Sequence, residues 1–142
     1  MTISFEQAEG IFHLQNKHMS YVIQLVNASY PAHVYWGRPI RSGQLGTVIQ
    51  YIERASFSPN PVKENRKISF DTLPQEYPAY GTSDFREPAY QVALPNGSTI
   101  TELIYDKHRI VAGKHALEGL PSTYVEGDDE AETLEIELVD KV

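Results

Sequence analysis

Thr133-Leu134-Glu135-Ile136-Glu137-Leu138-Val139-Asp140 is the stretch that decides the fold class. Leu134, Ile136 and Leu138 alternate with Glu135 and Glu137, and a strand turns successive side chains to opposite faces. The spacing therefore predicts a strand with the three aliphatic residues inward and the two glutamates outward. Working back along the chain, Ile11-Phe12-His13-Leu14 and Ser20-Tyr21-Val22-Ile23-Gln24-Leu25-Val26 flank Gln15-Asn16-Lys17-His18. That is the pattern of a β-hairpin with a short polar turn. In its second run Tyr21, Ile23 and Leu25 point one way and Val22, Gln24 and Val26 the other, which predicts cover on both faces.

The remaining runs extend this reading. His33-Val34-Tyr35-Trp36 is a strand ended by Gly37 and Pro39, and Thr47–Arg54 fits a strand or one short helix equally well. Residues 55–67, with Pro59 and Pro61, form a long loop. Tyr90–Leu94 and Ser98–Tyr105 enclose Pro95-Asn96-Gly97, where Asn-Gly supplies the positive φ angles of a tight hairpin turn. Lys107–Gly113 then continues a meander. About eight or more strands and no long helix predict an all-β fold, an antiparallel β-sandwich.

Composition bounds the function. The chain has 142 residues, enough for a single domain with a real core. Its 12 basic and 19 acidic residues give a net charge of −7, which argues against nucleic acid and against an anionic membrane surface. There is no cysteine, so disulfides and thiolate metal sites are excluded. Met1-Thr2-Ile3-Ser4-Phe5-Glu6 lacks the basic-then-apolar pattern of a secretory signal. A cytoplasmic location is the expectation. His13, His18, His33, His108 and His115 show no metal-binding spacing, and no phosphate-cradling or nucleophile-elbow motif occurs. The acidic residues Glu126–Glu132 lack the ligand alternation of a calcium loop and read as a solvated turn. Neither a metal nor a cofactor is expected, and no opposed pair of carboxylates for glycoside cleavage declares itself.

Two places invite a chemical role. In Tyr35-Trp36-Gly37-Arg38 an aromatic face suits the C–H face of a sugar and a guanidinium suits its hydroxyls. Equally, the only Trp of the chain fits the core of a sandwich. Leu73–Ala89, rich in proline and aromatics, reads as a rigid packed loop carrying Asp84 and Arg86. Those two residues suit either a site or an ion pair that ties the loop down.

Tyr35-Trp36-Gly37-Arg38-Pro39-Ile40, Tyr77–Ala89 with its Asp84-Phe85-Arg86-Glu87-Pro88-Ala89 run, Asn96-Gly97-Ser98, Leu103-Ile104-Tyr105, Gly119–Tyr124 and Ala131–Asp140 occur in that order. Together they resemble the N-terminal region of bacterial α-galactosidases of glycoside hydrolase family 36. The resemblance covers roughly residues 10–140. It departs at Ser83, where the family usually has glycine before the Asp-Phe-Arg run.

What the resemblance implies is a part of a larger enzyme. In the family a β-supersandwich precedes a (β/α)8 barrel, and the barrel carries both catalytic aspartates for retaining cleavage of terminal α-galactosides such as melibiose and raffinose. This chain, residues 1–142, is then one β-sandwich domain or part of the N-terminal domain, with no catalytic residue of its own and no activity alone. It is expected to support homo-oligomer assembly, dock on the barrel and help wall the active site. Tyr35, Trp36, Arg38, Asp84 and Arg86 are the expected rim. A free-standing carbohydrate-binding module and a purely structural interaction domain are the competing readings.

Overall fold

The computed structural model describes residues 2–53, 60–81, 86–121, 125 and 131–141. It is all-β: β1 (Thr2–Glu6), β2 (Ile11–Gln15), β3 (Ser20–Val26), β4 (Tyr30–Gly37), β5 (Leu103–Ala112) and β6 (Glu132–Asp140). β1 to β4 make one antiparallel sheet in chain order, and β5 and β6 make a second antiparallel pair. The expected hairpin is present, with Ile11 to Gln15 paired against Gln24 to Ser20. Its turn is held by the Asn16 side chain, whose Oδ1 accepts from the amides of His18 and Met19 at 2.7 and 2.9 Å.

The alternation along β3 is realised on both faces. Ile23 and Leu25 pack with Phe12 beneath Tyr105, Leu134 and Ile136 of the second sheet. Val26 packs the other way, in a cluster with Tyr30, Ala32, Ile68, Phe70 and Leu73. Residues 38–47 cover the rest of that second face. There His13 is fully buried, with Nδ1 2.9 Å from the Ser42 hydroxyl and Nε2 2.9 Å from that of Ser20. Ser20 also accepts from the Ile40 amide, and Gln24 donates to the Gly46 carbonyl.

Burial pushes the His13 pKa below its ordinary value near 6.5. Lowering pH through 6.5 therefore protonates the unfolded chain before the folded one, so stability is lost as pH falls below that value and is unaffected above it. One such histidine contributes a slope of at most about 1.4 kcal/mol per pH unit. Denaturation at pH 7.5 and 5.5 should show wild type losing more stability than His13→Gln. Equal losses would mean that His13 does not titrate this way.

The structure departs from the sequence reading in several places. Among the described residues there are six strands rather than eight or more. β1 was not foreseen; Ile3 and Phe5 place it against Leu14 and Phe12 of β2. Residues 103–112 run as one strand instead of ending before Lys107, because the Tyr105–Lys107 irregularity is a bulge that re-registers β5 on β6. The Asn96-Gly97 turn does form, with Gly97 at φ +83° and its amide on the Leu94 carbonyl, yet residues 90–94 are not a strand. Leu45–Thr47 is a single 3-10 turn.

Leu134, Ile136 and Leu138 do face inward, but they are half-buried rather than buried. Among the described residues, the second sheet is two strands wide over a four-stranded one. The mismatch leaves an apolar groove of about 380 Å³ along Ile23, Pro31, Leu103, Ile136 and Leu138. Outward, Glu137 pairs with Lys107 at 3.0 Å and Glu135 pairs with Arg109, so the expected polar face is a ladder of exposed ion pairs.

Candidate functional site: the aromatic edge of β4

β4 is the edge of the four-stranded sheet, and its far end holds two of the five expected rim residues, Tyr35 and Trp36, with Arg38 just past it. A bulge on β4, where Val34 is the extra residue opposite the Val22–Ile23 step of β3, sets the phase there: Ile23 pairs with His33, whereas Val22 pairs with Tyr35 and Tyr21 with Trp36. Ile3, Leu14, Tyr21 and Trp36 are therefore successive cross-strand partners on one face. The row runs from a buried Ile3, at 7% exposure, to Trp36 at 70%. Trp36 is thus a surface residue, and the core reading of this Trp is overturned.

Tyr35 points to the opposite side and bends back, donating from its hydroxyl to the Arg38 carbonyl at 2.9 Å. That closes the turn at Gly37, where an added Cβ would lie 2.5 Å from the Tyr35 hydroxyl. Arg38 is exposed just beyond.

Tyr21, the cross-strand partner of Trp36, binds a carboxylate that the sequence did not single out. The Tyr21 hydroxyl donates to both Glu76 oxygens, at 2.7 and 2.6 Å, and His33 Nδ1 lies 3.1 Å from Glu76 Oε1. The Tyr21 and His33 rings are 5.3 Å apart. Burial first, then the Glu76 carboxylate, pushes the Tyr21 phenol well above its ordinary range. Glu76 reaches this position because residues 74–76 add to the β4 edge. The His33 amide donates to the Pro74 carbonyl at 2.7 Å and the Glu76 amide to the Pro31 carbonyl at 2.9 Å.

Arg86 has a different place. Its guanidinium donates to the main-chain carbonyls of Phe70 and Leu73 at 2.9 and 2.6 Å, fastening the turn that feeds residues 74–76 onto β4. It acts on Glu76 through the backbone. Asp84 lies outside the described residues, as do Ser122–Tyr124 and most of the acidic stretch, 126–130. The link of Glu76 to Tyr21 and His33 was missed because it spans 55 residues for Tyr21 and 43 for His33. The only sequence signal was the aromatic density around Glu76-Tyr77.

The sheets and this edge define the class, an antiparallel β-sandwich domain that presents an aromatic strand end. The chain belongs to the glycosyl hydrolase family 36 N-terminal domain family, whose model matches residues 29–142. It is 53% identical over 140 residues to the α-galactosidase AgaA of Geobacillus stearothermophilus, covering 99% of this chain and 19% of that enzyme. The crystal structure of AgaB from the same organism superposes with a TM-score of 0.86 at 53% identity, again over 99% and 19% of the two chains. The galactosidase domain of the bifunctional α-galactosidase/sucrose kinase AgaSK of Mediterraneibacter gnavus superposes at 0.88 with 35% identity, over 99% and 19%. AgaA variants have been solved with raffinose and with stachyose, at TM-scores of 0.81 and 0.82 and 55% identity, over 92% of this chain and 18% of theirs.

Proposed function

We propose that this chain is the non-catalytic N-terminal β domain of an α-galactosidase that removes terminal α-galactosyl groups from raffinose-type oligosaccharides. The 53% identity along 99% of the chain to an α-galactosidase carries this reading. AgaA, whose variants were solved with raffinose and stachyose, supports the substrate class. In this reading the domain assembles with a catalytic barrel and with other subunits. The β4 edge, with Tyr35, Trp36 and Arg38, forms part of the wall around the substrate. Asp84 belongs to the same wall, and Arg86 holds the intervening backbone in place. The exposure of Trp36 supports the rim, since a side chain that only filled the core would not stand 70% open.

The test is an assay of the longer protein that carries this chain. It should release galactose from melibiose and raffinose, and residues 1–142 alone should release none. Failure of the longer protein on every α-galactoside would sink the enzymatic reading. Turnover by the 142-residue chain that vanishes on mutating one of its own acids would sink the non-catalytic one.

A further inference from the structure

A second concave site lies in the loops between residues 77 and 101. It is a cavity of about 360 Å³ lined by Tyr80, Gln91, Val92 and Thr99. Its walls are fixed by specific contacts. The rings of Tyr77 and Tyr90 stack at 5.2 Å and 12°, the Ala89 amide donates to the Pro78 carbonyl at 2.9 Å, and the Tyr90 and Thr101 hydroxyls are hydrogen-bonded. Gly81, at φ +91°, lies so close to Ile100 that an added Cβ would be 2.8 Å from its Cγ1. Glycine is required there, and the contact sets Tyr80 beside Thr99.

The lining chemistry is selective. Tyr80 offers an aromatic ring that is 53% exposed, Val92 an apolar surface, Gln91 an amide with both donor and acceptor, and Thr99 a hydroxyl that both donates and accepts. Among the described residues, none of the side chains lining the cavity is charged. A pyranose has the matching features: an apolar C–H face, hydroxyls that donate and accept, and no charge. The volume sits at the lower end of the ~300–1,000 Å³ of small-ligand sites, suited to one or two sugar units.

We infer that this cavity is a saccharide subsite separate from the catalytic domain, taking a neutral hexose unit of an oligosaccharide. Tyr80 stacks on the ring, and Gln91 and Thr99 bond its hydroxyls. The choice of saccharide among neutral polar ligands rests on the α-galactosidase reading.

Hydrogen–deuterium exchange on the longer enzyme with raffinose as the probe tests it. Raffinose should slow exchange in peptides spanning residues 88–101, and Tyr80→Ala should raise the half-protecting concentration by about tenfold, the upper end for one aromatic contact. Gln91→Ala with Thr99→Ala should abolish the protection, with melting temperature unchanged in both variants. Absence of protection in wild type, protection that survives in the variants, or equal protection by a neutral dipeptide would overturn the subsite. The two readings fail separately. An enzyme that hydrolyses raffinose without this protection loses the subsite alone, and protection without hydrolysis removes the enzymatic reading while leaving a sugar site.

Discussion

Replacing Phe12 by alanine is expected to lower the stability of the domain by about 3–5 kcal/mol. Phe12 has no exposed surface. It stacks on Phe5 of β1 at 4.4 Å, meets the edge of His108 from β5 at 4.7 Å and lies 6.5 Å from the Tyr105 ring. One side chain thus joins three strands of two sheets. Deleting it removes the transfer free energy of a phenyl group and leaves a cavity that the two sheets cannot both collapse into. The aromatic pair terms, about 0.5–1.5 kcal/mol each, act in the same direction. Chemical denaturation of wild type and Phe12→Ala measures the difference. A loss under ~1 kcal/mol would mean that the two sheets are not packed through this residue.

The second large effect is expected at Glu76. Glu76→Ala should cost about 1.5–3 kcal/mol, the range for a hydrogen bond to a charged group, because it leaves the half-buried Tyr21 hydroxyl without its acceptor. The His33 contact adds little, since the His33 side chain is 41% exposed and water screens the pair. Loss therefore falls toward the lower end of the range. Removing the carboxylate should also make the Tyr21 phenol ionise at lower pH, because Glu76 contributes to its upward shift. Melting temperature and a spectrophotometric tyrosine titration check both parts. A variant with wild-type melting and an unchanged titration would show that Tyr21 does not depend on Glu76.

These two residues also mark what the sequence could and could not reveal. Phe12 lies in a run that, set against Ser20 to Val26 across a short polar turn, read correctly as one strand of a hairpin, because apolar runs flanking a polar turn pair back on themselves. Alternation identified Leu134, Ile136 and Leu138 as inward, but not their degree of burial. That depends on the width of the sheet above them, which periodicity does not encode. The Tyr105–Lys107 bulge was read as a break because Asp106 interrupts the pattern, whereas a bulge inserts one residue and lets the strand go on. Trp36 fitted core and surface equally until its cross-strand partners placed it at the open end of a row. Glu76 carried no signal beyond the aromatic density around it, since its partners come from β3 and β4 and meet it through the backbone pairing of residues 74–76. Arg86 was noticed for its charge, and its role lies in the geometry of two carbonyl groups.

The central claim is that the β4 edge of this domain faces substrate in the longer enzyme, and Trp36→Ala tests it most directly. An aromatic contact of about 0.5–1.5 kcal/mol corresponds to a roughly two- to tenfold change. Steady-state kinetics on raffinose should therefore show kcat/KM lower by that factor, with the melting temperature of wild type retained. A rise in KM alone would mark a contact made equally in ground and transition states, and a fall in kcat one made in the transition state. Wild-type kinetics in Trp36→Ala, whether or not its melting temperature falls, would contradict the claim.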